Sequence, residues 1–290
     1  MSSKKSKSLI HQFLYKGEEK LRLLSGANRI LPEYLIIGAA KCGTTSLYNY
    51  LIQHPAVFAS FKKEVHYFDY YFHKGENWYR SHFTTQQKLK SRKLELSQHC
   101  ITGESSPYYL AHPLSPQRVK ALFPNVKMIC MLRNPVDRAI SSFNNQVRLG
   151  IDPLTDFEEA IRLEDTRIQG HEERLRNDPN YSSFEHKYFS YIRRGCYAEQ
   201  LENWYQHFPK DQIMVIQSEK FYENPAPYFQ EVVNFIGLNP WAPEKFKVFN
   251  AGGEYDKMSD TLRRKLLDYY QPHNEKLFQL IGKRFYGWKV

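Results

Sequence analysis

Three groups of residues in this chain have the types and spacing to do chemistry. The first is AAKCGTTS at 39–46, where Lys41, Thr44 and Thr45 surround Gly43. An ammonium, two hydroxyls and the unpaired N–H groups that open a helix can converge on one anion, because the aligned peptide dipoles favour negative charge there. The second is Arg133, at the end of the apolar run VKMICML, with Ser141 one helix face further on. A guanidinium fork matches a phosphate dianion bidentately, and the hydroxyl adds a donor. A surface salt bridge for Arg133 and a capping or solvated hydroxyl for Ser141 are the plainer alternatives. The third is KKEVHYFDYYF at 62–72. Glu64 and His66 stand two apart, so on extended backbone they share a side, and one can orient or tune the other as a base. Lys62 and Lys63 can bind an anionic acceptor.

These groups need a scaffold that brings them together. Leu35 to Ile37 reads as a short buried strand, Gly38 to Gly43 as a tight turn and 44–53 as a helix. The turn is not a Walker A loop, which carries its lysine directly after the last glycine, whereas Lys41 here precedes Gly43. VFASF at 57–61 is expected to be a second strand and Asn77 to Phe83 a short helix, with LKSRKLELSQ as polar surface. HCITGESSPYYL at 99–110 is expected to be strand through Ile101 and loop from Gly103 to Pro107. Ser115 to Phe123 reads as helix, 126–132 as a buried strand, and Pro135 as the opening of the next helix. Strands alternating with helices imply right-handed crossovers and an α/β fold with a central, mainly parallel sheet. Ligands of such sheets bind beyond the carboxyl ends of the strands.

Further along, 154–169 can be helical, while the polar run from 169 to 187 is expected to be an irregular insertion or mobile lid, with 153–187 as its outer bounds. Helices are expected over 197–208, 227–236, 259–270 and 274–281, with a strand over 212–217 and FYGW packed on the core. Residues 1–30 read as a basic extension and 31–290 as one domain. The formal charge of +10 favours an anionic partner, but Lys and Arg are spread along the chain and form no reader motif, so nucleic acid is not expected. Cys42, Cys100, Cys130 and Cys196 have no zinc spacing and suit reduced thiols, no metal is expected, and no segment suits stable membrane insertion. Cytoplasm is the expected location, with monomer and homodimer both open.

Taken together, AAKCGTTS, KEVHYFD at 63–69, ESSPYY at 104–109, LRNPVDRAISSF at 132–143 and GCYAEQLENWYQHFP at 195–209 resemble the sulfotransferases that use 3′-phosphoadenylyl sulfate (PAPS). The chain is most similar to their heparan sulfate N- and 3-O-sulfotransferase branch, over nearly its whole length. The resemblance implies a P-loop-like three-layer α/β/α fold and in-line transfer of a sulfuryl group from PAPS, leaving PAP. The acceptor would offer a hydroxyl, or less commonly an amine, on a saccharide, small molecule or lipid. It also implies that Lys41, Cys42, Gly43, Thr44, Thr45 and Ser46 surround the 5′-phosphosulfate, and that Arg133 and Ser141 hold the 3′-phosphate. Lys41, Glu64 and His66 would be catalytic, and Lys63, Glu104, Ser105 and Tyr108 would meet the acceptor. Ser105 replaces a lysine of the 3-O branch. The C-terminal loop that completes the 3′-phosphate site would be NAGGEYDK at 250–257, with Lys257 or Arg264 supplying charge. Two other classes stay in play: a small-molecule kinase, which needs a carboxylate for Mg²⁺, and a non-enzymatic nucleic-acid binder.

Overall fold

A computed structural model describes residues 17–247, 249 and 258–288; the basic start and the loop at 250–257 lie outside the described residues. Five strands form one parallel sheet: β1 (Tyr34–Gly38), β2 (Val57–Phe58), β3 (Ile101–Ser105), β4 (Lys127–Leu132) and β5 (Ile213–Gln217). Their order is β2-β3-β1-β4-β5, so β1 lies at the centre with chain crossovers to either side. Every residue of β1 is buried, which is why its sequence is a continuous apolar run rather than an alternating one. The parallel sheet and its flanking helices confirm the expected fold class.

Helices α1 (Thr44–Leu51), α2 (Gln86–Leu96), α3 (Ser115–Leu122), α4 (Pro135–Arg148), α5 (Phe184–Tyr188), α6 (Tyr197–Tyr205), α7 (Pro225–Phe235) and α8 (Asp260–Ile281) supply most of the connections. Asn134 caps α4 by accepting from the Val136 N–H at 3.0 Å, and Pro135 begins it. Val136, Ala139 and Phe143 on one face of α4 pack into a second apolar cluster with Leu262, Leu266 and Tyr270 of α8. That leaves Asp137, Ser141 and Asn145, at helical spacing, for the opposite face.

Several expected elements differ. β2 has only two residues, and the polar run at 89–98 falls mostly within α2, whose N-cap Thr85 accepts from Lys88. β3 continues through Gly103 and Glu104 to Ser105, because Leu35 and Ile36 of β1 pair with Glu104 and Ser105 and carry them into the sheet. The run at 169–187 is largely helical, with His171–Asn177 and then α5, and it is anchored by Arg118 to the Pro179 carbonyl and by Tyr70 to the Ser183 carbonyl. The two C-terminal helices are one, with Pro272 inside α8. Phe285 and Trp288 of FYGW are buried, whereas Tyr286 is exposed.

Gly103 shows how tightly β3 and β1 are matched. A methyl built there would lie 2.3 Å from Cζ of the fully buried Tyr34 ring. Gly103→Ala is therefore expected to destabilise the fold by about 1–3 kcal/mol through overpacking. Urea unfolding should show a lower midpoint at unchanged slope, and an unchanged midpoint would contradict this packing.

Candidate functional site

Beyond the carboxyl ends of the strands lies a cavity of about 930 Å³. Ala40 and Lys41 follow β1, Pro107 and Tyr108 follow β3, Arg133 follows β4, and Ser218 and Glu219 follow β5; all line it. One side is built to hold anions. Gly43 opens α1 with φ 92°, a left-handed conformation that glycine adopts without strain. Its missing side chain also makes room for the Tyr222 hydroxyl, which would lie 2.7 Å from a β-carbon there. The helix has no side-chain cap, so its first-turn donors stay directed at the loop.

Lys41 donates to Asn145 Oδ1 at 3.3 Å, and Arg148 reaches the same oxygen at 3.0 Å. Burial, then the Arg148 and Arg133 charges, pulls the Lys41 ammonium below its usual range. Arg133 faces the cavity, and its guanidinium has no hydrogen-bond partner among the described residues, while its carbonyl accepts from Tyr197 at 2.9 Å. Ser141, buried on the face of α4 opposite its apolar one, lines the same space. Cations that converge without carboxylate partners among the described residues form a field suited to an anion.

The opposite side carries a chain of charge-assisted bonds. Lys63 donates to Thr45 Oγ1 at 2.7 Å and pairs with Glu64 at 2.9 Å. Glu64 meets His66 Nε2 at 3.2 Å, and His66 Nδ1 meets the buried Asp69 at 2.7 Å. Burial disfavours the His66 charge, but Asp69 and then Glu64 outweigh it and raise the imidazole to about 9. Burial likewise opposes the Glu64 charge, and His66 and Lys63 outweigh it, holding the carboxyl at about 2. At neutral pH His66 is thus an imidazolium donating from both nitrogens, and Glu64 is the group of the pair able to take a proton.

Lys41, Gly43, Thr44, Thr45, Glu64, His66, Tyr108, Arg133 and Ser141 all line one cavity, as the sequence leads one to expect. Lys63 is not part of the lining and instead bonds Thr45 and Glu64 beside it, and four further expected contacts are placed elsewhere. The Cys42 thiol is buried beside Tyr197, because the side chain after Lys41 turns into the core. Ser46 is sealed beneath the loop, where it binds the Tyr222 hydroxyl and the Phe249 N–H. Ser105 is fully buried in β3. Glu104 is buried too, accepting from Ser106 at 2.6 Å, Tyr109 at 2.8 Å, Tyr79 at 2.9 Å and the Val65 N–H at 3.2 Å. Burial pushes Glu104 up to about 7 against those four bonds. Its role is to fix the backbone between Glu64 and His66. Arg264 is exposed, whereas Arg263 pairs with Asp137 on the cavity rim at 2.8 Å.

The sequence reading missed Lys187, Tyr188 and Arg194 in the cavity wall. Lys187 Nζ stands 4.3 Å from the Tyr70 ring centre and 5.1 Å from that of Tyr188, with no ion pair among the described residues. Burial lowers its pKa first, against the pull of Asp69 and Glu64. Arg194 lies 5.2 Å from the Tyr108 ring centre and donates to the Lys187 carbonyl. Arg194 is buried and Arg193 exposed, and nothing local in RRG separates them. Tyr108 binds His186 Nδ1 at 2.7 Å, which fixes α5 to the strand ends.

A family model described as the sulfotransferase domain matches residues 31–266. The chain is 27% identical to the membrane-associated sulfotransferase kil1 of Dictyostelium discoideum, over 88% of this chain and 66% of that protein. It is 30% identical to the heparan sulfate glucosamine 3-O-sulfotransferase 3A1 of Mus musculus, over 92% of this chain and 66% of that protein. It thus spans just under two thirds of these relatives. Among solved structures, a sulfotransferase from Alicyclobacillus acidocaldarius is similar with a TM-score of 0.67 at 29% identity, over 89% of this chain and 99% of that one.

The charge chain predicts a pH dependence of stability. His66 has its folded pKa raised from 6.5 to about 9, so its contribution is complete below pH 6.5 and is lost as pH rises through 9. The stability difference between the native protein and His66→Gln should therefore shrink between pH 6.5 and 9 in urea titrations. A difference that stays constant across that window would refute the imidazolium.

Proposed function

The chain belongs to the sulfotransferase domain family, and on that premise we propose that it transfers a sulfuryl group from PAPS to a hydroxyl of an acidic saccharide. The observation that carries the reading is one cavity with two unlike walls. The donor wall has the α1 loop at one end and Arg133 with Ser141 at the other, which suits a ligand with anionic groups at both ends. The Arg133 guanidinium, which has no hydrogen-bond partner among the described residues, and the converging Lys41 support that fit. When bound, PAPS supplies the sulfuryl group and departs as PAP.

The residues of the chain do the rest. Lys41 is a mobile point charge able to follow negative charge as it develops on the leaving oxygen. Glu64 accepts the proton of the attacking hydroxyl. Held near 2 it is a poor base at rest, so its cationic partners must loosen when the hydroxyl enters. Lys63 already has Thr45 as an alternative partner at 2.7 Å, which lets it shift its charge toward the donor loop. His66 orients Glu64 and is itself held by Asp69. Positioning of the two reactants supplies the remainder.

For the acceptor, Tyr108 and Tyr188 offer ring faces for a sugar, and Lys187 and Arg194 offer charge for a carboxylate or sulfate on it. The heparan sulfate relatives support a saccharide. A kinase is not favoured: Glu64 is paired with Lys63 and His66, Asp137 with Arg263, and Glu219 accepts from the Asn134 N–H and Trp288, which leaves these cavity carboxylates committed. The reading includes a cytoplasmic location, which the four buried free cysteines support.

The decisive experiment is calorimetric binding of PAP followed by an acceptor screen with labelled PAPS. Absence of PAP binding would sink the proposal. Lys41→Ala should lower turnover by about 10²–10³, as loss of a transition-state charge donor does. Glu64→Gln should leave PAP binding near normal and cut transfer by roughly 10²–10⁴, the usual worth of a general base; persistent transfer would remove Glu64 from that role. Lys187→Met should raise KM for a uronate-bearing oligosaccharide while leaving its carboxyl-reduced counterpart unchanged. An equal effect on both acceptors would show that Lys187 does not read charge.

A further inference from the structure

Outside the cavity, the start of α6 meets the middle of α8. Cys196 precedes the first residue of α6, Glu199 lies three residues on and so on the same face, and His273 projects from α8. One thiol sulfur, one carboxylate oxygen and one imidazole nitrogen from these residues all lie within 4.8 Å of one another. Glu199 Oε1 and His273 Nδ1 are 3.2 Å apart. That is close to the edge of a tetrahedron built on bonds of about 2.0–2.1 Å, the usual zinc–nitrogen and zinc–oxygen lengths. We propose that Cys196, Glu199 and His273 form a zinc site that joins α6 to α8.

The donor set selects the ion. Thiolate with imidazole favours zinc over magnesium or calcium, which take oxygen ligands. Three protein ligands leave a fourth position for water. Cys196 is buried, whereas the Glu199 and His273 side chains retain 48% and 28% exposure, so an ion can enter from the solvent side. Among the described residues the Cys196 sulfur has one hydrogen-bond contact, a long one of 3.9 Å to the Tyr269 hydroxyl, and has little to give up. Burial, then Glu199, holds the thiol up at about 11, with Tyr269 and Arg193 pulling the other way and Glu164 adding to the rise. A metal-bound cysteine is a thiolate, so binding releases the thiol proton to solvent.

The place of the site gives it a role separate from the reaction. Arg194 is two residues before Cys196, and Tyr197, directly after it, holds the Arg133 carbonyl at 2.9 Å. Tyr270 of α8 binds the Ile192 carbonyl at 2.8 Å. An ion here braces the segment that carries Arg194 and whose Tyr197 holds the backbone of Arg133. No spacing motif announces it, because 74 residues separate Glu199 from His273.

The full-length chain, stripped with a chelator, should be titrated with Co²⁺ and followed by the thiolate-to-cobalt absorption band, and with Zn²⁺ by calorimetry in two buffers of different ionisation heat. One ion per chain, one proton released and a higher thermal midpoint with zinc are expected. Cys196→Ser and His273→Ala should each remove the band and weaken zinc by more than the roughly 10–100-fold that an outer-shell change costs. Glu199→Gln and His273→Ala alter half-exposed side chains, so they keep the test valid if Cys196→Ser fails to fold. Absence of stoichiometric binding would leave a plain His–Glu ion pair. A band that survives both Cys196→Ser and His273→Ala would place the ion elsewhere. Either result overturns the site.

Discussion

The hydrogen-bonded line from Thr45 through Lys63, Glu64 and His66 to Asp69 is the interaction on which the site depends, because it ties the start of α1 to the 62–72 segment across the cavity. Its two central members are held in their charged states by their neighbours. Asp69 keeps His66 protonated, and His66 with Lys63 keeps Glu64 ionised, against the desolvation that each suffers. An alternating series of this kind is stable only while its geometry is maintained, since removing one member strands a charge in a partly dry cavity. The surrounding fold can be understood as the means of holding five residues in line.

That holding falls to buried polar groups. Glu104 is a carboxylate inside a sheet, an expensive place for it, and four donors surround it. One of those donors is the Val65 N–H, so the cost of burying Glu104 is offset by fixing the backbone between Glu64 and His66. Ser106, which also binds Glu104, accepts from the His66 N–H at 3.0 Å. His66 itself has φ 56°, an uncommon conformation for a non-glycine residue. Bonds to its backbone N–H and to both ring nitrogens over-determine that conformation, which is how such residues persist at working sites.

The donor wall was legible in the sequence because its signals are local. A fully buried parallel strand must read as a continuous apolar run, so YLIIG and KMICML announced β1 and β4, and the residues directly after them had to sit at the cavity mouth. The errors came where a long-range contact overrode local chemistry. Gly103 and Glu104 look like loop residues, yet pairing with β1 makes them strand, with the glycine chosen by the Tyr34 ring and the glutamate by its buried donors. Pro272 looks like a helix end, yet packing along α6 carries α8 through it. Cys42 and Ser46 lie within the right motif, but Cys42 turns into the core and Ser46 stands on the buried side of α1, and motif membership cannot say which way each one faces.

The acceptor wall was nearly invisible for a related reason. Lys187 and Arg194 come from a polar stretch with little apolar periodicity, and they are brought in by ties that no short window contains: Tyr70 to Ser183, Tyr108 to His186 and Arg118 to Pro179. Those ties run from the 62–72 segment, the loop after β3 and α3 outward to a segment whose own solvent-facing residues are unconstrained by them. The sheet therefore positions the donor chemistry directly and the acceptor chemistry at one remove. On the proposed reading, a change in the sequence of 169–187 reshapes acceptor choice without touching β1, α1 or β4, whereas a change in those elements alters donor and acceptor together through the Lys63–Glu64–His66 line. The uneven legibility of the two walls follows from that difference in how they are built.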